Sequence, residues 1–175
     1  MKGYRKTNKY FLFWGSIYSQ WFKVKFKDKN GLEFSSAEQF MFYHKAKLFN
    51  DKESLNKIMN TSDPKKQKNL GRKVKNFNEE IWKDYRYKII LLGNYYKFSQ
   101  NELLKKNLFS HNLYFVEASP VDSIYGIGLH YNNKESEDIS KWKGLNLLGD
   151  AINETKNILE VNNLNLIKNL EDYLY

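Results

Sequence analysis

The chain contains no cysteine, two prolines and three histidines in 175 residues. The lack of cysteine excludes disulfides and thiolate chemistry, and it suits a reducing compartment, so we expect a cytoplasmic protein. No apolar run approaches the roughly 20 residues of a membrane span, and no apolar secretion segment follows the charged N-terminus. We therefore expect neither membrane insertion nor secretion, and we expect one domain with a substantial core.

The residue patterns of several common enzyme classes are also missing. Gly126-Ile127-Gly128 lacks the third glycine and the Gly-Lys-Ser/Thr that phosphate-binding loops need. His44, His111 and His130 do not have metal-ligand spacing, and no Gly-x-Ser-x-Gly sequence occurs. The sequence thus predicts no metal site and no cofactor, and serine-hydrolase chemistry is not expected.

The net charge is +9, with a pI near 9.4, which favours polyanionic partners such as nucleic acid or a phosphorylated ligand. Of the 29 basic residues only three are arginine, so AT-rich coding explains the charge equally well. The best local candidate for a phosphate-facing surface is a basic stripe, and the alternative is a solvated helix face. The stripe consists of Lys65, Lys66, Lys68, Arg72, Lys73 and Lys75.

Alternating and helical spacings of apolar residues predict a few strands and several helices. Alternating residues between Phe11 and Phe34, with a turn over residues 28–31, predict a hairpin. A further strand is predicted over residues 113–118. Capping residues and apolar periodicity predict helices over residues 35–46, 51–58, 64–71, 79–92, 102–108 and 146–159. The first of these has two possible capping boxes, Ser35 with Glu38 and Ser36 with Gln39.

The last residues of the chain have an apolar face of their own. Leu164, Ile167, Leu170 and Leu174 recur at helical spacing, which predicts a helical tail over residues 161–175 that folds back onto a domain of residues 1–160. No internal repeat or domain break is visible. The alternative role for this tail is dimerisation, and the oligomeric state stays open.

The most informative segment runs from Ser35 to Ala46, where a short helix carries both a carboxylate and an amine. Glu38 and Lys45 are seven residues apart, so they lie within about 20° of each other around the axis and roughly 10.5 Å apart along it. Two long side chains in this arrangement could converge on one small ligand. The helix is apolar nearly all round, and burial of Lys45 would lower its pKa and make its amine nucleophilic.

Structural roles explain each candidate residue when it is taken alone. Glu38 can serve as a capping residue at the helix start, and Lys45 can lie on the surface. Asp122 can be a turn residue ahead of Tyr125-Gly126-Ile127-Gly128, and Trp142 can be a core ring. Local sequence therefore leaves structure and function open.

The motifs taken together resemble one family, the NADAR (YbiA-like) family, over about residues 11–159. Their order and spacing fit throughout, and one departure is Tyr125, where the family more often has tryptophan. The matching segments are Trp14-Gly15, Ser19-Gln20-Trp21, residues 37–41, Lys45-Ala46 with Phe49 and Asp51, Lys68 with Leu70-Gly71-Arg72, Phe77 with Trp82, Lys97-Phe98, Glu117-Ala118-Ser119, Asp122 with residues 126–128, and Trp142 with Gly144 and residues 146–149.

This resemblance implies a YbiA-like α+β fold, a mostly helical single domain with a small antiparallel sheet. It also implies cleavage of N-glycosidic bonds. Two substrate classes are implied: ADP-ribose attached to a guanine base in nucleic acid, and ribosyl-phosphate intermediates of riboflavin synthesis. The basic charge favours the first, with DNA or its fragments as partner. A third interpretation is a non-catalytic module that binds ADP-ribose or a nucleotide.

The resemblance also implies roles for the candidate residues. Lys45 would form a Schiff base with C1 of the ring-opened ribose, Glu38 would shuttle protons, and Asp122 would orient sugar hydroxyls. Trp14 and Trp142 would sandwich a base. The other predicted substrate-binding residues are Arg72 for a diphosphate, Asn146 for a phosphate or base edge, and Gly15, Gln39, Tyr125 and Gly126.

Overall fold

The computed structural model describes residues 3–175. Seven α-helices and five short strands follow one another along these residues. Their bounds are β1 (Tyr4–Lys6), β2 (Tyr10–Phe13), β3 (Phe26–Lys27), β4 (Glu33–Phe34), α1 (Ala37–Leu48), α2 (Lys52–Met59), α3 (Pro64–Gly71), α4 (Glu79–Ser99), α5 (Glu102–Phe109), β5 (Tyr114–Glu117), α6 (Leu147–Val161) and α7 (Leu164–Leu174).

The predicted α+β class is confirmed, and the sheets differ from the prediction in two details. The larger sheet has the order β1-β2-β5, and it is mixed because β2 runs antiparallel to β1 but parallel to β5. The predicted hairpin is short, since only Phe26–Lys27 and Glu33–Phe34 pair. The alternating residues before Phe26 lie outside the strands, and of their backbone groups the Val24 N–H donates to the carbonyl of Ser35 at 3.0 Å. The segment that precedes them, from Trp14 to Trp21, contributes residues to the lining of a cavity.

Local capping explains where the helices begin. Asp51, Asp63 and Asn78 accept hydrogen bonds from the first backbone N–H groups of α2, α3 and α4. Pro64 occupies the first position of α3, where its missing N–H costs nothing. The starts predicted for these helices are therefore present in the structure.

The core has an apolar layer on each face of the larger sheet. Phe11, Phe13 and Phe115 point to one face, towards α5 and α6, whereas Leu12 and Val116 point to the other. This alternation follows from the two-residue period of a strand. The long helix α4 packs against α1, α5, α6 and α7, so it connects the sheet layer to the helices around the cavity.

Helix α7 packs against the rest of the chain, as its apolar spacing predicts. Ile167 and Leu170 are buried in the core that α1 and α4 share. The hydroxyl of Tyr96 donates to Glu171, and that of Tyr175 donates to Asp28 Oδ2 at 2.9 Å.

Helices α1 and α3 meet in close contact at Gly71. A Cβ atom added there would lie 1.9 Å from Cδ1 of Phe42, a residue that lines the cavity. We expect Gly71→Val to lower the free energy of unfolding by about 1–3 kcal/mol, because overpacking forces the Phe42 ring or the helix to move. Urea unfolding followed by circular dichroism measures the change.

The control for this prediction is Lys66→Val, which places the same side chain on the exposed face of α3. Its expected change is about 0.5 kcal/mol or less. A Gly71→Val protein as stable as this control would show that the α1–α3 contact is looser than the structure indicates.

Candidate active site

A cavity of about 670 Å³ lies where α1, α3, the start of α4 and the loops after β2 and β5 meet. Its volume is in the usual range for sites that bind small molecules. Charged side chains from four of these segments line it, and they include both signs. Among them are Glu38, Lys45, Lys68, Arg72, Glu117 and Asp122.

Helix α1 supplies Glu38 and Lys45 to this one cavity, although both residues are more than nine-tenths buried. The helix starts at Ser36, whose side chain accepts a hydrogen bond from the Gln39 N–H at 3.1 Å. Of the two capping registers that the sequence allows, the structure therefore uses Ser36 with Gln39. The Glu38 N–H also donates to the carbonyl of Gln20 at 3.0 Å, which ties the helix start to the loop after β2.

The carboxyl group of Glu38 is held in an environment of mixed charge. Burial raises its pKa from an ordinary value of 4.5 to about 7, and the negative charge of Asp122 adds to the rise. The positive charges of Lys68 and Arg72 and a hydrogen bond with the Trp21 side chain oppose it. Glu38 can therefore both give and take a proton near neutral pH.

A second buried carboxyl group, that of Glu117, faces the same cavity from the end of β5. Burial raises its pKa from 4.5 to about 8, and the negative charges of Asp122 and Glu38 add to this rise, against the charge of Lys68. Its Oε2 atom is buried without a hydrogen-bond partner among residues 3–175. Glu117 belongs to a motif in the sequence, but it was not among the predicted site residues.

The amine of Lys45 lies among aromatic rings. Its Nζ atom is 4.0 Å from the centre of the Phe77 ring and 5.6 Å from that of Trp82. Burial lowers the pKa of Lys45, and the negative charge of Glu79 partly offsets this effect. The sequence-based inference that Lys45 is buried, with a lowered pKa, therefore agrees with the structure.

Asp122 and Tyr125 lie in the loop after β5, and both line the cavity. Asp122 Oδ1 accepts hydrogen bonds from the N–H groups of Ile124 and Tyr125, at 2.9 and 2.8 Å. These bonds form a local turn that fixes the carboxylate. Asp122 is thus a turn residue and a cavity residue at once.

Exposed aromatic rings surround the cavity. Trp14, Trp21 and Phe77 all line it, and between 39% and 43% of each residue is exposed. Lys68 Nζ lies 5.5 Å from the centre of a Trp21 ring. Gly15 follows Trp14 with a φ of 79°, a left-handed conformation that favours glycine.

Two predicted substrate-binding residues, Gln39 and Gly126, lie outside the cavity lining and have structural contacts instead. The Gln39 side chain accepts from the Ser35 N–H at 2.7 Å and donates to the Ile58 carbonyl at 3.0 Å, so it connects α1 to α2. A Cβ atom at Gly126 would lie 2.8 Å from the carbonyl oxygen of Glu117. This glycine allows the loop to pack closely against the end of β5.

Trp142 is likewise outside the cavity lining, so the predicted sandwich of a base between Trp14 and Trp142 is not present. Its indole N–H donates to the carbonyl of Ser136 at 3.0 Å, and its ring packs edge-on against Tyr10 at 5.9 Å. It packs against the apolar layer on the far face of the larger sheet. The ring that accompanies Trp14 at the cavity is Trp21.

At the start of α6, after Asn146, the first two N–H groups that could hold a phosphate already have partners in the protein. The N–H groups of Leu147 and Leu148 donate to the carbonyls of Ile124 and Tyr125, at 3.3 and 3.0 Å. Asn146 Oδ1 accepts from the Glu117 N–H at 2.9 Å. The asparagine therefore holds a cavity residue in place without lining the cavity itself.

Lys97 supports the cavity from behind. It is fully buried, burial lowers its pKa to about 7, and its amine donates to the Ser19 carbonyl at 3.0 Å. That bond anchors the Ser19-Gln20-Trp21 segment, which lines the cavity.

Among residues 3–175, no group of three or more histidine or acidic side chains is placed to hold a metal ion. In the same part of the chain, no helix is both long enough and apolar enough to cross a membrane.

Comparisons with known proteins agree with one another. A family model of the NADAR domain matches residues 4–160. N-glycosidase R617 of Acanthamoeba polyphaga mimivirus is 46% identical over 160 residues, which cover 84% of this chain and 94% of that protein. Protein irg-1 of Caenorhabditis elegans is 35% identical over 133 residues, which cover 74% of this chain and 63% of that protein.

The NMR structure of the Escherichia coli protein YbiA has the same fold. It matches with a TM-score of 0.72 at 19% identity, and the match covers 93% of this chain and 91% of that one.

The buried carboxyl group of Glu38 should make stability depend on pH. Its pKa of about 7 in the folded state lies above the ordinary 4.5. The contribution of Glu38 to the free energy of unfolding is therefore present in full below pH 4.5 and is lost as pH rises through 7. Between pH 5 and pH 8 the free energy of unfolding should fall by roughly 2 kcal/mol more in the wild type than in Glu38→Gln. Urea unfolding at both pH values measures this difference.

The control is Glu33→Gln. Glu33 is exposed and pairs with Lys25, which lowers its pKa, so its charge does not change between pH 5 and pH 8. If Glu38→Gln had the same pH dependence as this control, the raised pKa of Glu38 would be disproved.

Proposed function

The chain belongs to the NADAR domain family and is a hydrolase of N-glycosyl compounds, and we propose that it cleaves the bond between ADP-ribose and a guanine base in DNA or its fragments. The observation that carries the proposal is one cavity lined by the buried Lys45 and Glu38, by Glu117 with a buried carboxyl oxygen, by two cations and by exposed aromatic rings. We also propose that it acts in the cytoplasm, since the cysteine-free composition suits a reducing compartment.

Cleavage of an N-glycoside needs a nucleophile for the anomeric carbon and a proton for the departing nitrogen. In our proposal Lys45 Nζ bonds to C1 of the ribose while the bond from C1 to the base breaks, and the base leaves with that electron pair and a proton. Opening of the ring gives a Schiff base, and water then releases the sugar and restores the amine. Glu38 moves protons during these steps, and Asp122 orients the sugar hydroxyls.

The environment of Lys45 supports its role as nucleophile. An amine attacks only in its neutral form, and burial favours that form by lowering the pKa. The rings of Phe77 and Trp82 lie beside Nζ, so apolar neighbours cover that side of the amine. Because Glu38 lies on the same helix and reaches the same cavity, a proton-transfer group is available within one rigid element.

The charge and size of the cavity favour ADP-ribose over a smaller ribosyl phosphate. Lys68 and Arg72 both line the cavity, and a diphosphate needs two such cations more than a monophosphate does. Trp14 and Trp21 provide exposed rings on which bases can stack, and ADP-ribosyl-guanine contains two bases.

The position of the basic stripe supports nucleic acid as the partner. Two of its members, Lys68 and Arg72, line the cavity, and Lys65, Lys66 and Lys73 are exposed beside them on or just after α3. A strand whose modified base enters the cavity would thus have lysines available for its neighbouring phosphates.

The first test is turnover of ADP-ribosyl-guanosine. We expect the wild type to release guanosine and ADP-ribose. We also expect that reduction with borohydride during turnover traps a covalent adduct on Lys45. Lys45→Ala should lose activity by about 10³-fold or more, because nothing replaces the nucleophile, yet it should still bind ADP-ribose in calorimetry. Chromatography of the products and mass spectrometry of the trapped protein measure both effects.

Lys47→Ala is the control, since Lys47 lies on the same helix but does not line the cavity. Unchanged cleavage by Lys45→Ala would exclude Lys45 as nucleophile. Turnover of only the aminopyrimidine ribosyl phosphate of riboflavin synthesis would replace our substrate with that alternative, and binding of ADP-ribose without any turnover would identify a binding module.

The second test concerns the polymer. We expect Lys65→Glu with Lys66→Glu to weaken binding to a single-stranded oligonucleotide and to make its dependence on salt less steep. The log–log slope should change by roughly 0.7 for each phosphate that the protein no longer neutralises. Turnover of the mononucleoside conjugate should not change, because neither lysine lines the cavity. Fluorescence anisotropy across a salt series measures the slope.

The matched control is Lys105→Glu with Lys106→Glu, an adjacent lysine pair on α5, away from the cavity. If both double variants weakened binding equally, the oligonucleotide would be responding to net charge and not to α3.

A further inference from the structure

Glu117 is held rigidly by its backbone, whereas its carboxyl group lacks a partner. Its N–H donates to Asn146 Oδ1 at 2.9 Å, and its carbonyl accepts from the Ile127 N–H at 2.9 Å. Gly126 packs against that carbonyl so closely that a Cβ atom would lie 2.8 Å from it. The fold thus fixes the end of β5 from two directions and leaves Oε2 buried and unpaired beside the cavity.

An unpaired buried oxygen destabilises the fold, because it has lost its hydrogen bonds to water and gained none in return. Most buried polar atoms in native proteins have partners, so an exception at a cavity indicates a group that interacts with something the cavity receives. The other groups that face Glu117 are Asp122 and Glu38, which are acidic, and Lys68. Two acidic neighbours favour the neutral, protonated form of the carboxyl group.

We propose that Glu117 is a second catalytic carboxyl group, and that it is the acid which gives its proton to the departing base. The inference rests on the proposed cleavage of an N-glycosidic bond but not on the identity of the base. In this step the bond from C1 to nitrogen breaks, its electron pair goes to the nitrogen, and that nitrogen takes the proton from Glu117. The resulting carboxylate regains a proton when water adds to the Schiff base.

The proposal divides the proton transfers between two carboxyl groups with different neighbours. Glu38 has Lys68, Arg72 and a hydrogen bond from Trp21 to stabilise its ionised form. It therefore suits the role of the base that takes a proton from Lys45 after the attack and returns it when the amine is released. Glu117 has less positive charge around it, and its pKa of about 8 is higher than the value of about 7 for Glu38. Enzymes commonly separate acid and base roles in this way.

The test compares two leaving groups in wild type and Glu117→Gln. Guanosine needs a proton to leave, whereas 4-nitrophenolate does not. We expect Glu117→Gln to lower kcat by about 10²-fold or more on ADP-ribosyl-guanosine, and to leave kcat on an ADP-ribosyl 4-nitrophenyl conjugate nearly unchanged. The fall in wild-type kcat as pH rises through about 8 should also disappear in the variant.

Glu160→Gln, an exposed change on α6, is the control and should behave as wild type on both conjugates. Equal loss on both conjugates would overturn the proposal and assign Glu117 a structural role. Unchanged kcat on ADP-ribosyl-guanosine would overturn it as well. If the wild type cleaves neither conjugate, the proposed substrate fails separately, and the same variants are assayed on the aminopyrimidine ribosyl phosphate.

A second measurement does not need turnover. Carbon-13 NMR of labelled glutamate carboxyl groups, with Glu117→Gln to assign the signal, follows the titration of Glu117 directly. A pKa near 8 supports the proposal. A pKa near the ordinary value of about 4.3 overturns it, because the group would hold no proton at neutral pH.

Discussion

The burial of helix α1 is the constraint on which the cavity depends. Phe40, Met41, Phe42 and Ala46 are buried on this helix, so it has almost no face left for water. Glu38 and Lys45 lie on the same helix and are buried, so they are not in contact with bulk solvent as surface residues are. Both instead line the cavity. Their altered pKa values follow from this placement, since burial is the largest cause for both groups. The fold therefore prepares the amine and the carboxyl group for chemistry by the same packing that stabilises its core.

The buried ionisable groups destabilise the folded protein, and packing elsewhere offsets this effect. The folded state becomes less stable as pH rises, because buried carboxyl groups with raised pKa values must then ionise. A buried amine with a lowered pKa likewise destabilises the folded state when it is charged. The aromatic contacts around Phe40, the burial of α7 and the hydrogen bonds of Gln39 offset these costs. Gln39 illustrates the division of roles: it is adjacent to Glu38 in sequence, but its side chain turns away from the cavity and joins α1 to α2.

Local sequence predicted the helices well because their starts depend on neighbouring residues. Ser36, Asp51, Asp63 and Asn78 each accept N–H groups within three positions. The parallel pairing of β2 with β5 was not predicted, since residues about one hundred positions apart form it.

The same distinction between local and long-range contacts applies to the site. Glu38 and Lys45 lie on one helix, and their shared face follows from helical geometry. Which tryptophan faces the cavity depends on tertiary packing, so the sequence could not distinguish Trp21 from Trp142.

Asn146 shows how a residue can belong to a functional motif without touching a ligand. Its backbone adopts a left-handed conformation, with φ of 56°, and its side chain bonds to both the Glu117 N–H and Asp150. The N–H groups after it bind the carbonyls of the loop that carries Asp122 and Tyr125. One helix start thus fixes the end of β5 and the loop that follows it. Glu117 and Asp122 lie at opposite ends of that connection, so the start of α6 helps to fix their separation. The same contacts therefore help to fix how strongly the negative charge of Asp122 raises the pKa of Glu117.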